Sequence, residues 1–160
     1  MTELSGSGIS VDLPAGWGGQ IRAESVKQLT PAGADPPVVV RAPTVVHIGN
    51  FPLPVDRGEF GAGVVEVMQT QDVFMVLFEY ESSSAGTGLF RYRGSPGPVT
   101  AGDFDQNQLQ RGLPGQSGLQ LFFSEAGRAF CWYIVLASHL DRSDAMPFIN
   151  HVLRSLVIER

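Results

Sequence analysis

Cys131, His139 and Asn150 are the residue types of a thiol hydrolase, the first group in this 160-residue chain that could do covalent chemistry. A cysteine is nucleophilic when it is ionised, within hydrogen-bond reach of a base and partly open to substrate. Here Cys131 lies in AFCWYIVLA, Ala129 to Ala137, a run with no charge and no turn former. Apolar surroundings keep a thiol protonated. The expectation is a packed structural cysteine in a chain that is not an enzyme, with a Cys131 hydrolase as the weakest alternative.

The other reactive types are scattered. His47, His139 and His151 have no His, Cys or carboxylate partner at a helical metal spacing, so solvated or locally hydrogen-bonded rings are expected and no metal site. Asp103 and Asp105 in GDFDQNQ resemble the opening of a calcium loop, but Pro114 stands where the bidentate glutamate is needed; a turn is expected. Gly58, Gly61 and Gly63 in GEFGAG could present backbone N–H groups to an anion. Their spacing is not that of a dinucleotide fingerprint, so no cofactor is expected and the glycines read as close helix-to-sheet packing. Ser82 to Gly86 lacks the strand–turn–helix frame of a nucleophile elbow. Arg91, Tyr92 and Arg93 remain as the candidate partner-binding residues, since arginine and tyrosine are enriched in binding hot spots and two arginines suit an acidic partner. Their plain alternative is a charged edge strand that resists aggregation.

The elements that would position these residues are legible from hydrophobic pattern. In AFCWYIVLA, Ala129, Cys131, Tyr133, Val135 and Ala137 share one strand face, and Phe130, Trp132, Ile134 and Leu136 share the other. Both faces are apolar, which places the strand in a sheet covered on both sides. Asp72 to Glu81 has the same character and belongs beside it, near the sheet centre. Leu119 to Ser124 forms a hairpin with it through the turn at Glu125 to Gly127. Ile9, Val11 and Leu13 mark a first strand closed by Pro14 and Gly16, with Trp17 at one end of the core. A short strand near Gln20 to Glu24, a flexible loop over 30–37 and a strand over Val38 to Ile48, with a bulge or edge at Pro43, follow.

Two amphipathic helices are expected. One runs from Gly58 or Glu59 to about Gln69, with Phe60, Val64, Val67 and Met68 on one face. The better one runs from Ala145 to Leu156, with Met146, Ile149, Val152, Leu153 and Leu156 inward and Pro147 in its first turn. Val157 and Ile158 can add a last strand. Between Ser82 and Gly118 lies a long Gly-, Ser- and Pro-rich tract, interrupted by the strand-like LFRYR of Leu89 to Arg93, of the kind that is either mobile or functional. Two apolar central strands and two helices together imply a single domain over residues 1–160: an α+β fold, an α/β/α sandwich with a mostly antiparallel six- to seven-stranded sheet. A two-layer sheet with both helices on one face is the alternative.

Composition narrows the function classes. Charged residues are 17% and hydrophobic ones 43%, which is globular. The net charge of -5 argues against nucleic acid and anionic membrane as partners. One cysteine excludes an intrachain disulfide, and the longest apolar run is about half of the ~20 residues a membrane helix needs. Lys27 is the only lysine beside ten arginines, a bias that suggests a GC-rich bacterial genome. A soluble cytoplasmic protein is the expectation, unless a leader has been removed.

The LP-x-GW turn of Leu13, Pro14, Gly16 and Trp17, the GR-x-F-x-WYIVL strand of Gly127 to Leu136 and the VLRSLVI ending of Val152 to Ile158 resemble the Mog1/PsbP-like fold. That resemblance implies a non-catalytic protein-binding scaffold, of adaptor or chaperone type, and carries over no functional residue. The partner would be another protein or a second copy of this chain; a small apolar-ligand-binding module is the runner-up.

Overall fold

A computed structural model describes residues 2–23, 27–29, 38–40 and 44–160. In chain order its elements are β1 (Thr2–Gly6), β2 (Ile9–Leu13), β3 (Gly18–Ala23), β4 (Lys27–Leu29), β5 (Val38–Val40), β6 (Thr44–Gly49), β7 (Val73–Tyr80), β8 (Ser117–Glu125), β9 (Arg128–Leu136), α1 (Arg142–Ser155) and β10 (Val157–Ile158). The main sheet has five strands in the order β3-β6-β7-β9-β8, a second has the order β1-β2-β10, and β4 and β5 pair with each other. All of these strand pairs are antiparallel.

The register sorts the side chains of β9 as alternation demands. Phe130, Trp132, Ile134 and Leu136 enter one core, with Met75 and Leu77 of β7, Ile9, Val11 and Leu13 of β2, and Ile149, Val152 and Leu153 of α1. Tyr133 and Val135 enter a second core with Val45, Phe74 and Val76 on the opposite face of the sheet. Both faces of β7 and β9 are therefore covered, for the reason their unbroken apolar runs suggest.

The covering layers are different from those of an α/β/α sandwich, and that expectation is corrected. Among the described residues α1 is the only α-helix, and it shares one face with the β1-β2-β10 sheet. The expected helix over 58–69 is a series of turns. Gly61 and Gly63 hold φ angles of +98° and +85°, outside the right-handed helical region. Gly58 N–H donates to Ala62 O at 2.8 Å, closing a loop in which the chain doubles back. The expected apolar face holds only in part: Val64 is buried in the second core with Phe60 and Met68 against it, but Val67 is 55% exposed and Val65, off that face, is buried in its place. Gly61 comes so close to the sheet that a Cβ there would stand 2.8 Å from Phe74 Cε2.

Smaller departures have equally local causes. A hairpin precedes the expected first strand: β1 turns into β2 through Ser7 and Gly8, both with positive φ, the geometry of a two-residue primed turn. The Ala126–Gly127 turn between β8 and β9 repeats it. The strand expected over 38–48 is divided between β5 and β6. Helix α1 starts earlier than expected, with Asp141 as N-cap, which leaves Pro147 inside it. The loop over 30–37, the end of the second strand at Glu24 and the bulge at Pro43 lie outside the described residues. No helix among the described residues is long and apolar enough to cross a membrane.

Candidate functional site

The hydrolase trio is not assembled. Cys131 is buried on the second-core face of β9, between Phe78 and Phe122 in register, and burial pushes its pKa up to about 12. His139 Nδ1 lies 3.0 Å from Ser117 Oγ instead, and Asn150 clasps the backbone of Val99, accepting from its N–H at 2.7 Å and donating to its carbonyl at 2.9 Å. The Ser117–His139 contact has the residue types of a serine–histidine dyad, but Ser117 is fully buried, out of reach of any substrate. Asp103 and Asp105 cap short 3-10 turns: Asp103 Oδ2 accepts from Thr100 N–H, and Asp105 Oδ1 from Asn107 N–H. Among the described residues no group of three or more His, Cys, Asp or Glu could hold a metal ion.

Arg91, Tyr92 and Arg93 follow a 3-10 turn, Gly88–Phe90, rather than continuing a strand through LFRYR. Phe90 is the buried anchor, packed against Tyr80 and Phe122 with ring centroids 5.0 and 5.7 Å away. Ser124 at the end of β8 then fixes the backbone: its N–H donates to Tyr92 O, its carbonyl accepts from Gly94 N–H, and its hydroxyl donates to Phe90 O. Outward from this clamp Leu89 is 67% and Tyr92 58% exposed, with Arg91 and Arg93 exposed on either side of the tyrosine. Neither arginine has a carboxylate oxygen within 4 Å among the described residues.

The same tract seals the outer edge of β8. Gly118 exchanges two backbone bonds with Asp105, at 3.0 and 2.9 Å, and Gln120 N–H donates to Gln108 Oε1 at 3.1 Å. A strand edge closed in this way cannot accept an added strand along most of its length.

A second polar group forms where β3 meets β6, and nothing in sequence spacing connects its members. Register sets Gln20 opposite His47, whose ring is 1% exposed and packs against Phe74 at a centroid distance of 5.4 Å. His47 Nε2 donates to Glu59 O at 2.8 Å, and Nδ1 accepts from Arg57 Nε at 2.7 Å, so its two partners determine the tautomer. The pKa of His47 is lowered to about 4, chiefly by burial, which outweighs the carbonyl of Glu59, with the charges of Arg57 and Arg22 acting in the same direction as burial. Arg57 also donates to Pro54 O and to Gln20 Oε1, and Arg22 donates to the same Gln20 oxygen and to Val55 O.

No family model, curated protein or solved structure matches this chain.

A concavity of about 130 Å³ lies between the end of the main sheet and α1, with Trp17, Val73, Leu136 and Phe148 among its walls. Trp17 and Phe148 stack at 6.2 Å, and Asp72, Asp141 and Asp144 stand at the lining.

Proposed function

We propose that this chain is a non-enzymatic protein-interaction domain of adaptor type, and that the Leu89–Arg93 corner docks an acidic protein surface. The observation that carries this reading is the corner itself: an exposed leucine and tyrosine flanked by two arginines without a carboxylate partner among the described residues, on a backbone held by Ser124. A rigid aromatic anchor between charges is the composition of a binding hot spot. The sealed β8 edge favours side-chain docking over strand addition there.

The test is recovery of a specific partner with the tagged full chain from its source cell, followed by affinity measurement. Arg91→Ala with Arg93→Ala is expected to weaken the complex about tenfold or more, with the melting temperature unchanged. Intact binding in the double variant removes this surface from the complex.

A second reading, a module for a small ligand, has the Trp17–Phe148 concavity in its support, since about 130 Å³ approaches a benzene-sized cavity. A thermal-shift screen that stabilises the wild type but not Trp17→Ala would favour it; a screen without a stabilising compound would exclude it.

A further inference from the structure

Among the described residues Arg22 and Arg57 are held by neutral acceptors. Arg57 is oriented by His47 Nδ1 at 2.7 Å, Pro54 O at 2.6 Å and Gln20 Oε1 at 2.7 Å. Arg22 is oriented by Gln20 Oε1 at 3.1 Å and Val55 O at 3.4 Å. A carboxylate in any of these places would cancel a charge while orienting it; an imidazole, an amide and two carbonyls orient without cancelling. Among the described residues no carboxylate oxygen comes within 4 Å of either guanidinium. Burial, and then the neighbouring charge of Arg22, pull the pKa of Arg57 below its usual value.

Both guanidiniums touch the one Gln20 oxygen, so their contacting nitrogens lie no more than about 6 Å apart. A guanidinium has five N–H donors. Arg57 uses three in these bonds and Arg22 two, which leaves two and three for a ligand. We propose that Arg22 and Arg57 form a binding site for a phosphate-class dianion, bridged between the two guanidiniums at the outer edge of β3. Phosphate suits the site better than a carboxylate because its two charges match the two cations and its oxygens accept from both forks. Gln20 is the positioning residue, since its side-chain oxygen sets the separation of the arginines. The half-buried stems of both arginines lower the cost of ordering them on binding.

The test is titration of the full chain with inorganic phosphate at constant ionic strength, balanced with chloride, read by melting temperature and by calorimetry. A saturable rise in melting temperature is expected, with phosphate affinity weakened about tenfold or more in Arg57→Gln and in Arg22→Gln. Among the described residues Arg22 hydrogen-bonds only to Gln20 and Val55, so Arg22→Gln serves as the decisive variant if loss of Arg57 unfolds the chain. Arg111→Gln, at an exposed arginine paired with Glu66, is expected to bind phosphate as the wild type does. Phenyl phosphate binding as tightly as inorganic phosphate assigns the site to a phosphorylated small molecule, and a preference for inorganic phosphate assigns it to the free anion. A melting temperature that follows ionic strength alone, or equal phosphate affinity in both variants and wild type, overturns the proposal.

Discussion

His47 shows how far one position can depart from its sequence neighbourhood. In the strand TVVHIG, Thr44–Gly49, an alternating histidine reads as solvated or locally bonded; here the His47 ring is locally bonded and buried. Folded, it stays neutral down to about pH 4, whereas an ordinary histidine takes a proton near 6.5. Between those values the unfolded chain binds more protons, so this residue's contribution is complete above pH 6.5 and is lost as pH falls towards 4. The contribution amounts to up to about 3 kcal/mol. Urea unfolding at several pH values is expected to show a steeper loss of stability over that window in the wild type than in His47→Gln, and equal slopes would contradict the assignment. Cys131 departs in the opposite direction: an acid held neutral by burial, with its pKa pushed up to about 12, has little thiolate at neutral pH.

At the scale of elements, the segment 58–69 separates periodicity from conformation. Apolar residues at helical spacing mark an apolar segment, but the backbone decides which side chains go inward: Val65 is buried and Val67, on the expected inner face, is exposed. Gly61 chooses that backbone, with φ at +98° and the ring of Phe74 where a Cβ would be. If this segment were helical, Gly61→Ala would stabilise it by about 1 kcal/mol. The observed turn reverses the sign: the variant is expected to lose about 1–3 kcal/mol in denaturant unfolding, from backbone strain and the clash with Phe74. Arg128 is a second case, a residue whose importance spacing hides. It forms a bidentate pair with Glu79 at 2.7 and 2.9 Å and also donates to Ser7 O and Glu159 O. One side chain thereby joins β9 and β7 to the β1–β2 turn and the end of the chain.

At the scale of the whole molecule, the long tract from Ser82 to Gly118 is the element whose role is most changed. Its Gly, Ser and Pro content reads as a mobile or functional loop, yet the chain pins it at Ser124 and Gly118 along β8 and at Asn150 on α1. Asn150→Ala is expected to cost about 2–3 kcal/mol, because the N–H and carbonyl of buried Val99 both lose their partner. Hydrogen exchange should then accelerate over 95–109 ahead of the main sheet; unchanged exchange there would show that the clasp does not hold the tract. The candidate surfaces sit on this frame. Arg91, Tyr92 and Arg93 were legible in the sequence by residue type and lie exposed at the clamped corner. The Arg22–Arg57 pair was not, because Gln20 meets His47 only through sheet register and Arg57 reaches both across an irregular connection.

The amino-acid sequence by itself determined the apolar strands β7 and β9, their two buried faces, the hairpin at Ala126–Gly127 and the amphipathic helix near the end of the chain. Each of these is written in contiguous residues, where alternation, turn chemistry and helical spacing act locally. Only the tertiary structure decided that a small sheet shares one face with α1, that turns cover the other, and that two arginines converge on one glutamine. Those outcomes rest on which distant segments fill the space over each sheet face, a competition among packings that no local pattern records.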